Sequence, residues 1–303
     1  MKMTLVIPIL NQLAEAKGAL SLLRYNTSDD TEFLIIDNGS TDDVEGFFLK
    51  HLRPKRLRII RNEENLGLVK TYQQAYENCE TEILAITHND VFVYEQNWDQ
   101  RILRYFQTID KLGMAGFFGA QGCGPIGERI QDIPLGYSPN TMAGMSQLVE
   151  AELHGFRLEK EWHPAGIFDG LMLIFNMEML RASNGFDQRY KFHHMYDRSA
   201  SLQSLALGYK NIVVNVPCHH MCGLTANRAE YQTWIDKKVG STGYTGDKFT
   251  HDYNTEVFKQ VWKEVLPVYV NDDFSFRTGS SGIWNYKGDK IVGYDYLKVK
   301  LDL

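Results

Sequence analysis

The sequence predicts an α/β fold built on a mostly parallel central sheet flanked by helices, and three observations carry that reading. Short apolar runs alternate with stretches of helical periodicity along the first two thirds of the chain. Several of those runs stop abruptly at polar residues, as strands do when they deliver side chains to one edge of a sheet. The chain has 303 residues, 44% hydrophobic and 23% charged, enough for a large core of ordinary soluble composition.

In order, residues 4–9 read as a buried strand, with Pro8 near its end where a ladder donor is dispensable. Asn11 is a candidate helix cap, and Leu13, Ala16, Leu20 and Leu23 then recur at helical spacing. Residues 33–36 are a second buried strand running into Asp37-Asn38-Gly39-Ser40-Thr41-Asp42, a loop rich in turn formers and acceptors. Residues 57–60 are a third strand, followed by Asn65-Leu66-Gly67 and a helix over 68–78. No GxGxxG follows the first strand, which argues against a dinucleotide site of Rossmann type.

The fourth strand, residues 82–86, ends in Thr87-His88-Asn89-Asp90. Asp90 is a hard oxygen ligand, suited to Mg²⁺ or Mn²⁺ when phosphate oxygens complete the shell, and an Asx turn is the plainer alternative. Asp37 suits a hydrogen-bond acceptor for a base or ribose, or a turn-stabilising role. A helix over 98–106, a strand over 114–118, a strand over 169–175 and a short helix over 177–182 follow. Between them, residues 119–163 are rich in Gly and Pro and read as an ordered lid. Gly208 ends a further helix that starts near Asp197, and residues 211–216 form a strand leading to Cys218-His219-His220. Cys218, His219, His220 and Cys222 could suggest zinc, yet no second Cys/His pair stands at finger spacing. Residues 254–265 form an amphipathic helix, and the tail beyond 271 has turn residues between aromatic runs, suiting a small β-hairpin.

Bulk properties exclude several classes. With 38 acidic against 32 basic residues, a formal charge of −6 gives no general attraction to nucleic acid or anionic lipid. No apolar run is long enough to span a bilayer, and the apolar start is too short for a signal peptide. Four cysteines do not suggest a disulfide scaffold. A cytoplasmic protein is expected, with peripheral membrane contact and oligomeric state left open.

Taken together, the motifs resemble the GT-A glycosyltransferases, most closely family 2 and its bacterial polysaccharide enzymes. The "P-x-x-N" end of the first strand is Pro8-Ile9-Leu10-Asn11, "D-N/D-G-S-T-D" is residues 37–42, and "N-x-G" is Asn65-Leu66-Gly67. The Asp-x-Asp-like position is His88-Asn89-Asp90, with His88 replacing the first aspartate. Phe186-Asp187 matches part of "G-G-F-D-E", and Tyr196-Asp197 stands at "E-D", with Tyr196 replacing the glutamate. His220 best fits "H-x-x-G-x-S/T", with His219 as the alternative.

The resemblance covers about residues 3–266. It implies a metal-dependent inverting glycosyltransferase acting from a nucleoside-diphosphate sugar, with UDP the first nucleotide to expect, on a glycan or glycoconjugate hydroxyl. Residues 1–118 would be the nucleotide-sugar half, 119–270 the acceptor and catalytic half, and 271–303 an extension. Pro8, Asn11, Asp37, Asn65, Gly67 and Asn89 would contact the donor. Asp90 with His220 or His219 would hold Mn²⁺ or Mg²⁺, and Asp197 would be the general base. Trp162, His163 and Asp169 are candidate acceptor contacts. Acceptor attack requires a positioned proton acceptor, and a carboxylate at a helix N-terminus is held ionised there; the plainer alternative is a helix cap. A nucleotidyltransferase or a non-catalytic binder of the same fold are the competing expectations.

Overall fold

The computed structural model describes residues 1–133, 160–221, 229–239, 246–278 and 290–303. Its centre is an eight-stranded sheet in the order β3 (Leu57–Arg61), β2 (Glu32–Asp37), β1 (Met3–Ile9), β4 (Ile83–Thr87), β11 (Met172–Asn176), β6 (Leu112–Gly116), β12 (Lys210–Val214) and β9 (Trp162–Pro164). Strands β1, β2, β3 and β4 run parallel. Strand β11 lies antiparallel between β4 and β6. Strand β12 is parallel to β6, and β9 closes the edge antiparallel.

Alternation along the parallel strands sends apolar side chains to both faces, as a sheet covered on two sides requires. In β1, Leu5, Ile7 and Ile9 enter one core with α1 (Leu13–Asn26) and α4 (Trp98–Thr108). Val6, with Leu34 and Ile36 of β2, enters the opposite core. That second core is completed by α3 (Leu68–Glu77), α5 (Met177–Ala182), α6 (Tyr196–Ala206) and α8 (Gly246–Trp262). Trp98 and Trp262 are fully buried, one in each layer. Each such side chain stabilises the fold by about 1.5–3 kcal/mol or more. Helix α7 (Ala229–Val239) packs on α8. No helix among the described residues is long and apolar enough to cross a membrane.

The strand order reverses at β1, since the chain adds β2 and β3 on one side of it and β4 on the other. Such a switch point opens a crevice beyond the carboxyl ends of the strands. A two-stranded ribbon stands over this crevice: β5 (Val91–Val93) pairs antiparallel with β13 (Cys218–His220), His220 opposite Val91.

Within the fold, the structure corrects the sequence reading at Asn11 and over residues 119–133. Asn11 does not cap α1. Its side chain accepts from the Thr41 amide at 2.7 Å, while Asp42 caps the Leu13 amide at 3.1 Å, so the β2 loop starts the helix. The segment expected to form a lid begins with paired strands instead: β7 (Gly119–Cys123) and β8 (Arg129–Ile133) are antiparallel. Strand β7 also pairs with β10 (Ile167–Phe168) and β14 (Val268–Val270). β14 pairs in turn with β15 (Phe276–Thr278). Residues 134–159 of that segment lie outside the described residues.

Gly67 illustrates how tightly α3 is docked. Its φ is +81°, and a Cβ there would come 2.9 Å from the Phe192 Cα. Gly67→Ala is expected to lower stability by more than about 1 kcal/mol, read as a shift in the urea midpoint.

Candidate active site

A cavity of about 410 Å³ lies at the switch point. Pro8, Ile9 and Leu10 at the end of β1 and His88, Asn89 and Asp90 at the end of β4 form one side of its lining. Two amide side chains of the β2 and β3 loops brace the floor. Asn38 donates to Asn65 Oδ1 at 2.8 Å, and its own Oδ1 accepts from the Leu66 amide and from Asn62 at 3.0 Å each. Asn65 Oδ1 also accepts from the Gly67 amide at 2.9 Å, leaving its Nδ2 as an unpartnered buried donor. Asn89 Nδ2 is likewise buried and unpartnered. Both residues line the cavity, so each can donate to an oxygen-rich ligand.

The ribbon of β5 and β13 explains the densest chemistry. Its register, with the Met221 amide donating to the Asp90 carbonyl at 3.2 Å, sets His220 beside Asp90 across 130 residues of sequence. His220 Nε2 lies 3.1 Å from Asp90 Oδ1 and 3.2 Å from His88 Nδ1. One ligand atom from each of His88, Asp90 and His220 falls within 4.8 Å of the others. Burial, reinforced by His220, pushes His88 down to about 4, so its imidazole is neutral near pH 7, the form that ligates metals. Burial opposes ionisation of Asp90, but the hydrogen bond and charge of His220 outweigh it and hold the carboxyl below its ordinary range. Two imidazole nitrogens and one carboxylate suit Mn²⁺ better than Mg²⁺, which prefers an all-oxygen shell.

The antiparallel pairing of β11 with β4 brings Asp169 and Gly170 against His88, whose amide donates to the Leu171 carbonyl at 3.1 Å. Gly170 is required there, because a Cβ would meet the Tyr196 hydroxyl at 2.3 Å. That hydroxyl sits 3.5 Å from His88 Nε2 and links the His88–Asp90–His220 cluster to the start of α6. Asp197 follows in the first turn of α6, with Oδ1 accepting from the Arg198 amide at 2.8 Å. Ser201 Oγ ties the turn down, donating to the Asp197 carbonyl at 2.7 Å and accepting from the Phe168 amide at 3.1 Å. Burial raises the Asp197 carboxyl above its ordinary range, against the pull of Arg198 and with help from Asp169. Burial thus outweighs the helix terminus that the sequence reading relied on. Asp169 itself faces Arg129, 3.3 Å away.

The far wall holds a second titratable cluster. His193 and His194 lie in the loop before α6, Tyr231 on α7, and Asp247 and His251 on α8. Burial and His193 push His194 down to about 4, and the two histidines hold Asp247 below the usual carboxylate range.

The remaining expected residues sit elsewhere. Asp37 is buried at the end of β2, where Arg61, its cross-strand partner, donates to Oδ2 at 2.7 Å and the Ser40 amide to Oδ1 at 2.8 Å. It shapes the loop and lies outside the cavity lining, as does Asn11. His219 alternates to the other face of the ribbon, against Phe92. Trp162 and His163 lie on edge strand β9, Trp162 stacked on Phe274 at 5.7 Å and His163 3.3 Å from Asp272. Of the three acceptor candidates only Asp169 lines the cavity. The cysteines among the described residues are free and belong to neither histidine–aspartate cluster, and Cys222 lies outside the described residues.

The sequence reading took His88 as a replaced aspartate, whereas the structure groups it with Asp90 and His220 as a candidate ligand. The places of Gly170, Tyr196, Asn38 and the far-wall histidines in the cavity lining likewise emerge only in the structure. The spacing of His88 two residues before Asp90 was the available signal for its part in the cluster.

The family described as Glycosyl transferase family 2 matches residues 4–156, half of the chain. The protein belongs to glycosyl transferase family 2. As a family 2 glycosyltransferase it has the GT-A fold, and solved structures agree. The mannosyltransferase PcManGT of Pyrobaculum calidifontis, in complex with GDP-Man and Mn²⁺, is similar at TM-score 0.50 and 16% identity, over 86% of this chain and 70% of that one. GalNAc-T7 with UDP, GalNAc and Mn²⁺ is similar at TM-score 0.54 and 15% identity, over 87% of this chain and 51% of that one. No curated protein matches this family 2 chain by sequence.

Proposed function

We propose that the protein is a metal-dependent, inverting glycosyltransferase. It would move a sugar from a nucleoside-diphosphate donor to a hydroxyl of a glycan or glycoconjugate, in polysaccharide assembly. One observation carries this reading: a single cavity brings together the His88–Asp90–His220 cluster and the buried carboxylate of Asp197, joined through Tyr196.

His88, Asp90 and His220 would hold Mn²⁺ beside the donor diphosphate. A divalent cation there supplies charge that stabilises the departing diphosphate. Asn65 and Asn89 would donate to ribose or phosphate oxygens through the amide nitrogens that lack partners. The backbone at Pro8, Ile9 and Leu10 would flank the nucleoside. Asp197 would accept the proton of the acceptor hydroxyl as its oxygen bonds to the anomeric carbon and the sugar–phosphate bond breaks, its electron pair leaving with the diphosphate.

Asp90 belongs to the metal-ligating cluster and Asp169 faces Arg129, which leaves Asp197 as the carboxylate suited to this role. Among the described residues that line the cavity, a single carboxylate left for the base supports single displacement with inversion. The two similar structures hold UDP or a GDP sugar, so UDP is the first nucleotide to test and GDP the second.

The test is incubation with UDP and GDP sugars, Mn²⁺ and candidate glycans, following nucleoside-diphosphate release and product anomeric configuration. Transfer with inversion supports the proposal; a retained configuration, or no transfer and no donor hydrolysis from any donor, contradicts it. Replacing the two adjacent histidines separates them. His220→Ala is expected to weaken Mn²⁺-supported nucleotide binding by more than the roughly 10–100-fold that loss of an outer-shell partner costs. His219→Ala is expected to leave binding within about threefold, both read by calorimetry.

A further inference from the structure

We propose that His193, His194 and Asp247 form a second divalent-cation site, of zinc type, on the wall of the cavity built by α7, α8 and the loop before α6. The Nε2 atoms of His193 and His194 converge on Asp247 Oδ1, at 2.7 and 3.0 Å. One ligand atom from each of the three residues lies within 4.8 Å of the others. Two imidazoles and one carboxylate are the donor types that select Zn²⁺ over Mg²⁺ or Ca²⁺.

The surroundings orient the ligands as outer shells of metal sites do. His193 Nδ1 is 2.8 Å from the Tyr231 hydroxyl, which fixes the ring with Nε2 toward Asp247. His251 stands one turn beyond Asp247 on the same face of α8, its ring 5.3 Å from that of His194.

The loop is also held in a conformation it would not choose. Phe192, His194 and Met195 have φ of +54°, +72° and +61°, a left-handed backbone that residues other than glycine rarely adopt. Buried Asn254 of α8 fixes it, accepting from the Lys191 amide at 2.9 Å and donating to the carbonyls of Lys191, at 2.8 Å, and of His193. Strain so closely braced marks functional positions.

Three protein ligands leave a coordination position for an exogenous oxygen, and His193, His194, Tyr231 and His251 all line the cavity. A cation here would tie the loop that runs into Asp197 to α8 and offer that position to a hydroxyl or carboxylate oxygen of the acceptor. The cation site itself does not depend on the sugar-transfer reading.

The test is calorimetric titration of Zn²⁺ into the tag-free chain without nucleotide. The wild type is expected to bind two equivalents, and the Asp90→Ala/His220→Ala variant one. Asp247→Asn and His194→Gln should each bind one, and Tyr231→Phe should keep two with one weakened about 10–100-fold. The Asp90→Ala/His220→Ala variant leaves the α8 cluster intact, so it decides the matter even where Asp247→Asn does not fold. No zinc in that variant, or unchanged binding in Asp247→Asn and His194→Gln, overturns the second site. One wild-type equivalent that survives loss of Asp90 and His220 but disappears with Asp247 upholds it, and removes the metal from the proposed transfer site instead.

Discussion

Asp197→Asn is expected to lower transfer by about 10²–10⁴-fold while raising thermal stability at neutral pH. The rate loss follows from removing the proton acceptor; asparagine keeps the shape and an oxygen for the Arg198 amide, but it cannot take the hydroxyl proton. The stability gain follows from linkage. Burial raises the folded-state pKa of Asp197 above its ordinary value. Between the unfolded and folded values the native state binds more proton, so stability falls as pH rises through that window. Above it the wild type carries a buried charge that the asparagine variant lacks. The same raised pKa gives the wild-type rate an acid limb displaced above the ordinary carboxylate range, and the variant should lack that limb. Thermal melts from pH 4 to 8, beside single-turnover rates, read both effects. Transfer that survives within tenfold would place the base elsewhere.

Asp90→Ala is expected to cost transfer on the order of 10³-fold, the scale of several kcal/mol of charge stabilisation supplied at a departing phosphate. Asp90 is the sole carboxylate of its cluster, and without it two imidazoles remain, His88 held neutral by burial. The variant should also lose stability at neutral pH. Asp90 has a depressed folded-state pKa, so the stability it contributes is present above the ordinary carboxylate value and disappears as pH falls through the depressed one. Comparing rates across a Mn²⁺ series separates the terms. A rate restored by millimolar Mn²⁺ identifies weakened binding, and a rate equal to wild type at all concentrations would remove Asp90 from the metal shell.

Much of this site was legible because parallel strands announce themselves: four apolar runs, each ending in polar residues, put Pro8, Asn65, Asn89 and Asp90 near one sheet edge. Asp197 was legible from its place at a helix start. What was not legible depended on register between distant segments. His220 reaches Asp90 only because β13 pairs with β5, and a one-residue slip would have presented His219 instead. Asp37 offers the same chemistry as a nucleoside acceptor would, but its cross-strand neighbour is Arg61, which occupies it. Trp162 and His163 land on an edge strand away from the cavity because β9 pairs with β12. His88 went unrecognised as a candidate ligand because the family motif favours a carboxylate there, although an imidazole can also bind a divalent cation.

The most direct measurement is calorimetric titration of UDP, then GDP, into the wild type with Mn²⁺ and again with EDTA. Binding that requires Mn²⁺, disappears with EDTA and is lost in Asp90→Ala is the predicted result. Binding of neither nucleotide under any condition, or equal binding with and without metal, would contradict a metal-dependent donor site at the switch point of the sheet.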